Sequence, residues 1–205
     1  MDLIQLKYRK PNLLDFGKIE NIIGKATSLF SKDGTQSVSM DDIARHCRIS
    51  KKTIYAFFGS KEILITEIVQ ILLAENIETL DKIQAAYLDP IAEMEKLFDN
   101  LQKTIKILTP FLVGEIRQHY PNAYHFLRQF RNNKIRFFVI QNIIRGVNEN
   151  IYRDNPDYES VSVLYCWQLQ NIHEATSAPM NIDELLNQTN KIFLQGIIRN
   201  LQVAL

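Results

Sequence analysis

Between Ser50 and Lys61 the chain reads SKKTIYAFFGSK, which gathers lysines, hydroxyls and aromatic rings into one short stretch. Such groups suit recognition of a polyanion. A lysine can donate to phosphate or to guanine O6 and N7, and a tyrosine hydroxyl can donate to phosphate while its ring packs on sugar. A small apolar residue can touch a thymine methyl. Lys51, Lys52, Tyr55, Ala56 and Lys61 are the candidates for these contacts. The charge balance points the same way. Residues 1–61 hold 11 Lys/Arg and 6 Asp/Glu, a net of +5, while the remainder holds 13 and 17, a net of −4. A near-neutral protein that concentrates its positive charge in its first third presents that third to a polyanion.

Other reactive side chains are sparse. Glu115 and His119 sit at i, i+4, with His125 further on. Pro121 interrupts the helix they would share, so no metal is expected. Cys47 and Cys166 are far apart and neither belongs to a CxxC pair, which argues against a disulfide framework or zinc and fits a reducing cytoplasm. No GxSxG, P-loop, HExxH or dinucleotide fingerprint occurs, so an enzyme is not indicated and no cofactor is expected. No apolar run is long enough for a signal peptide or a membrane span.

The elements that must position these groups are all helical in pattern. Apolar residues 46% and charged residues 23% suit a globular chain, and seven Gly and six Pro are few for 205 residues. Phe16, Ile19, Ile22, Ile23, Ala26, Leu29 and Phe30 recur at helical spacing, and Gly34 stops that helix. Ser39 with Asp42 forms a capping box for a short second helix. Ser50 caps a third, in which Ile54 and Phe58 share the inner face and Lys51, Lys52, Tyr55 and Ala56 point outward. Ser60 caps a long fourth helix running to about residue 88. Further helices are expected over about 90–107, 110–120, 123–147, 157–177 and 182–203. No segment alternates with period two for long enough to read as a strand.

Helix, short break, helix is the helix-turn-helix arrangement, whose second helix enters the major groove. At this level SMDDIARHCRISKKTIYAFFGSKEIL resembles the DNA-binding domain of the TetR family of bacterial transcription regulators. The family pattern is matched at Ser39, Ile43, Ala44, Ser50, Lys51, Thr53, Ile54, Tyr55, Phe58, Ser60, Lys61, Glu62 and Leu64, and the likeness spans about residues 15–70. One position departs from it: Arg48 stands where the family usually has a small turn residue, often Gly. A left-handed backbone there would cost a non-glycine residue on the order of 1–2 kcal/mol. Arg48 could also reach a phosphate.

The resemblance implies an all-α protein with a three-helix helix-turn-helix domain over 12–62. A helical regulatory and dimerisation domain would follow over 63–205. It implies a homodimer on a palindromic operator in double-stranded DNA, with repression the expected action and activation the alternative. A helical binding module without DNA binding is the rival class. The DNA-contacting set would be Ser39, Arg48, Ser50, Lys51, Lys52, Thr53, Tyr55, Ala56 and Lys61, with Lys61 on phosphate. An unknown small-molecule effector would meet Phe111, Glu115, His119, Tyr165 and Trp167. The two last helices would pair between chains through Val161, Leu164, Ile172, Leu185, Ile192, Phe193, Gly196 and Ile197. Gly196 lies mid-stripe, where glycine costs roughly 1 kcal/mol relative to alanine, and a close helix crossing would explain it.

Overall fold

A computed structural model describes residues 13–154, 157–172 and 181–199. Its elements are α1 (Leu13–Asp33), α2 (Met40–Cys47), α3 (Lys51–Phe58), α4 (Lys61–Ala85), α5 (Pro90–Ile107), α6 (Pro110–His119) and α7 (Pro121–Gln129). A π-helical turn (Phe130–Ile135) then leads into α8 (Arg136–Asn148), followed by α9 (Tyr158–Ile172) and α10 (Ile182–Ile197). Among the described residues the only extended pairing is one antiparallel bridge, Tyr152 with Ile198.

The helices form where the apolar spacing and the caps place them. On α1, Ile19, Ile22, Ala26 and Phe30 are buried at three- and four-residue intervals, whereas Phe16 stays 43% exposed and lies off the core face. Gly34 ends α1 with φ +79° and returns its N–H to the Phe30 carbonyl. Pro110 opens α6 at a position where a missing N–H costs nothing, and the Thr109 side chain accepts from Leu112 N–H. The fourth helix ends at Ala85, short of residue 88, because Tyr87 takes a left-handed conformation at φ 48°.

Two other departures have tertiary causes. The expected helix from 123 to 147 begins at Pro121 and is interrupted by the π-helical turn. The last helix stops at Ile197, not near 203. Ile198 is extended, Arg153 N–H donates to the Ile197 carbonyl at 2.9 Å, and Arg199 N–H donates to the Ile151 carbonyl at 3.0 Å. The end expected near 177 for the helix before it lies outside the described residues.

Contacts divide the chain into two compact units. The first holds the described residues up to Ala74 together with Ile107–Leu127. The second holds Glu75–Lys106 and the described residues from Arg128 onward. This division differs from a cut at 62/63. The first part of α4 buries Leu64, Ile65, Ile68 and Val69 with the N-terminal helices, and α6 belongs to the same core through Leu112, Val113 and Ile116. The second unit centres on a buried polar cluster. Tyr152, fully buried, donates from its hydroxyl to Asn142 Oδ1 at 2.9 Å; Asn142 Nδ2 donates to Glu93 at 2.5 Å, and Arg145 pairs with the same carboxylate at 2.9 Å. Gly146 lets the Tyr152 ring lie on the α8 backbone, since any Cβ there would meet the ring at 2.1 Å.

Candidate nucleic-acid interface

The local chemistry of α2 and α3 explains how an outward-facing helix is held. Ser39 Oγ accepts from Asp42 N–H at 3.1 Å, and Asp42 accepts in return from Ser39 N–H at 3.0 Å. The Ser39 hydroxyl, which donates to the same carboxylate at 2.6 Å, and then the Ser39 N–H hold the Asp42 carboxyl below its ordinary range. This box fixes the start of α2, whose Met40, Ile43, Ala44 and Cys47 are buried.

The turn into α3 is left-handed at Arg48, with φ 55° and ψ 42°. Ile49 N–H reaches the Ala44 carbonyl at 3.0 Å and Arg48 N–H reaches the Arg45 carbonyl at 3.1 Å. These are the two bonds of a Schellman cap, usually built on glycine. Arg48 therefore accepts the left-handed strain in exchange for satisfied helix-end carbonyls, and its cationic side chain projects from the turn.

Ser50 then caps α3 by accepting from Thr53 N–H at 3.1 Å, with its hydroxyl also 2.8 Å from that of Thr53. Ile54 and Phe58 are fully buried and anchor the helix, while Lys51, Lys52, Tyr55 and Ala56 are exposed. The two lysines are not equivalent. Lys51 Nζ lies 2.9 Å from the Asp41 carboxylate and 5.8 Å from the centre of the Tyr55 ring. The Asp41 bond raises its pKa above the ordinary lysine value. Lys52 has no ion-pair partner among the described residues and is the cation of α3 left free for a ligand.

Lys61, expected on phosphate, is turned inward. Its ammonium donates to the Thr35 carbonyl and sits 6.0 Å from the centre of the Phe30 ring. Burial pushes its pKa down, and Glu115 pulls it part of the way back. The ammonium thus braces the connector between α1 and α2.

The same connector is gripped from α6, which sequence reasoning missed. Glu115 accepts from Thr35 N–H at 2.5 Å, from Thr35 Oγ1 at 2.9 Å and from Gln36 N–H at 3.4 Å. Thr35 is fully buried. Glu115 is therefore committed to the first unit's own backbone and is not a free charge for an effector. Only contact across 80 residues of sequence reveals this; the local signal was the Gly34-Thr35 turn. A Cβ on Gly34 would lie 2.6 Å from the Phe111 ring and 2.8 Å from Glu115. Gly34→Ala is expected to destabilise the protein by about 1–3 kcal/mol, the left-handed penalty plus displacement of Glu115. Urea unfolding checks this, and a loss below 0.5 kcal/mol (about the size of a neutral surface change) would contradict it.

The expected effector residues are divided between the two units. Phe111, Glu115 and His119 belong to the first unit, with Phe111 and His119 exposed. Tyr165 and Trp167 belong to the second unit. There Tyr165 is fully buried against Phe193, ring centres 4.7 Å apart, and Trp167 is 61% exposed. The expected pairing residues also separate. Ile172 and Ile197 are buried in the chain's own core, and Phe193 packs on Phe98 and Tyr165 within the same unit. Val161 and Leu185 are half-buried. Leu164 at 57%, Ile192 at 64% and the exposed Gly196 remain uncovered. Trp167 and Val163 are also exposed on α9.

Residues 22–68 match the family model of bacterial regulatory proteins, tetR family. A Bacillus subtilis (strain 168) protein, the uncharacterized HTH-type transcriptional regulator YvaF, is 26% identical over 142 residues, 65% of this chain and 74% of that one. Among solved structures, a putative transcriptional regulator from Saccharomonospora viridis in complex with choline superposes with a TM-score of 0.76 at 14% identity, covering 90% of this chain and all of that one. A TetR/AcrR-family regulator from Thermobifida fusca superposes with a TM-score of 0.70 at 22% identity, covering 88% and 98%. These likenesses establish the fold.

Proposed function

We propose, from the likeness of residues 22–68 to the family model of bacterial regulatory proteins, tetR family, that the chain is a homodimeric repressor of transcription. It occupies a palindromic operator in the cytoplasm and leaves it when a small effector binds. The observation that carries the DNA-binding reading is the surface of α3. Ile54 and Phe58 hold it down, and Lys52, Tyr55 and Ala56 are presented with Lys51 and Arg48 beside them. A helix so anchored can enter a major groove, with its N-terminal turn on base edges.

The Ser39 hydroxyl fixes the start of α2, the Ser50 hydroxyl bonded to Thr53 fixes the start of α3, and Lys61 braces the α1–α2 connector. Lys51 reaches DNA by exchanging Asp41 for a phosphate. Lys52, unpaired, is the lysine we assign to a base edge. Dimerisation through the open side of α9 and α10 would set two such helices about one DNA turn apart, roughly 34–36 Å or a multiple. An effector would act by favouring a state in which that spacing no longer fits.

The test is binding to the DNA upstream of the protein's own gene, measured against salt. Affinity should fall steeply as salt rises, because each phosphate contact releases about 0.9 counterion. Lys52→Ala should relax preference at one or two base positions by about 1–3 kcal/mol. A uniform loss across operators would make Lys52 a phosphate contact, and salt-independent or absent binding would favour a helical module that does not bind DNA.

A further inference from the structure

The segment Pro121–Asn148 does not run as plain α-helix. At Phe130–Ile135 it widens into a π-helical turn, a feature that shifts side chains around the helix axis and recurs at binding sites. On the side facing α9 this turn opens a recess of about 270 Å3. Arg131, Asn132 and Arg136 form one wall, and Val163, Trp167 and Gln170 form the other.

The two guanidiniums differ in their freedom. Arg136 is paired with Glu159, and its Nε donates to Ser162 Oγ at 3.4 Å. Arg131 has no carboxylate partner among the described residues; its Nε donates to Asn132 Oδ1 at 3.3 Å. Cys166 lies at the recess and donates its thiol to the Arg131 carbonyl at 3.5 Å. Burial pushes that thiol up to about 11, against the pull of both arginines. It stays protonated at neutral pH and acts here as a hydrogen-bond donor. The recess is therefore built for recognition. It offers one free planar cation, one largely exposed indole and two side-chain amides.

We propose that this recess binds a small aromatic carboxylate, with the carboxylate on the Arg131 guanidinium and the ring against Trp167. A guanidinium presents two parallel N–H donors that match a carboxylate in shape and charge. The indole offers a flat apolar surface to a ring. The volume is just below the about 300–1,000 Å3 of drug-sized sites, which suits a single-ring ligand. A quaternary ammonium is disfavoured there, because the charged side chains lining the recess, Arg131 and Arg136, are both guanidiniums. This deepens the effector-responsive reading by naming a ligand class, and it rests on that reading for the release of DNA but not for binding.

The test uses the whole protein and phenylacetate as probe. Trp167 is the sole tryptophan of the chain, so its fluorescence reports the recess directly. Phenylacetate should change it saturably. Phenylacetamide, the uncharged isostere, should bind about tenfold or more weakly, the loss expected when a charge-assisted pair becomes a neutral one. Choline should leave the signal unchanged. Arg131→Met should lose the response to the same degree, and Arg131→Lys should recover part of it. Val163→Phe fills the recess from a half-exposed position that tolerates change and should also abolish binding. The proposal is overturned if wild type gives no saturable signal, or if Arg131→Met and Val163→Phe bind as wild type does. Operator binding on the same samples separates the two readings. Protein that binds operator but not phenylacetate loses this site and keeps its DNA role; protein that binds phenylacetate but no operator keeps the site and loses that role.

Discussion

Ile192→Glu is expected to convert the protein into a folded monomer and to weaken operator binding by about 10²–10⁴-fold, the gain that linking two binding modules normally confers. Ile192 is 64% exposed on α10, and Leu164 stands 57% exposed on α9. Large apolar side chains grouped on two adjacent helices are the mark of a covered face. Gly196 adds to this. Among the described residues nothing beyond its own helix backbone and chain neighbours comes within 4 Å of where its Cβ would be, so no contact among them accounts for a glycine that weakens α10 by about 1 kcal/mol. A crossing helix from a second copy would.

An exposed position tolerates glutamate with little change in fold stability, typically within about 0.5 kcal/mol. Circular dichroism should therefore be unchanged while sedimentation at micromolar concentration shifts to the monomer. Ile197→Glu is a poorer test. Ile197 is 6% exposed within its own chain, and a buried charge there would unfold α10 whether or not a partner exists. A variant at Ile192 that still sediments as a dimer would overturn the interface. A wild-type monomer that binds its operator tightly would overturn the dimer itself.

Glu115→Ala should lower stability by about 2–4 kcal/mol, the range for stranding a buried donor and losing hydrogen bonds to a charged group. The carboxylate is the acceptor for Thr35 N–H, Thr35 Oγ1 and Gln36 N–H. Thr35 is fully buried, so water cannot replace the lost partner without opening the connector. The effect should extend to DNA, because Ser39, which starts α2, follows the connector directly. Lys61 would then hold Thr35 alone, through its carbonyl. Glu115→Gln keeps one acceptor oxygen and should recover about half of the stability. Denaturant unfolding and operator affinity measured on both variants check this. Stability within 0.5 kcal/mol of wild type for Glu115→Ala would show that the Thr35 contacts are incidental.

Read from the sequence alone, the helix-turn-helix was legible in detail because its signals are local. The capping box at Ser39, the cap at Ser50 and the Ile54/Phe58 spacing act within three or four residues, which is the reach of helix geometry. The same locality placed the starts of α5, α6 and α10 near residues 90, 110 and 182, where the structure has them. Arg48 was a sharper case: sequence posed the left-handed turn as a condition, and the backbone met it with a Schellman cap that a neighbouring helix end supplies.

What tertiary structure alone decided is which groups find partners far along the chain. Lys61 and Glu115 both look like free charges in sequence, and both are spent on Thr35, from 26 and 80 residues away. Lys51 meets Asp41 across the turn, so Lys52 is left as the free cation. On α9 and α10, helical spacing marked apolar residues for pairing but could not say which of them faced inward. Tyr165 packs on Phe98 and Phe193, Ile172 and Ile197 are buried as well, and Leu164, Trp167 and Ile192 stay uncovered. A helix repeats every 3.6 residues whatever lies beside it. The choice of buried face therefore rests with its neighbours, and a charge that looks free in the chain is free in the fold only when no distant carbonyl or carboxylate claims it.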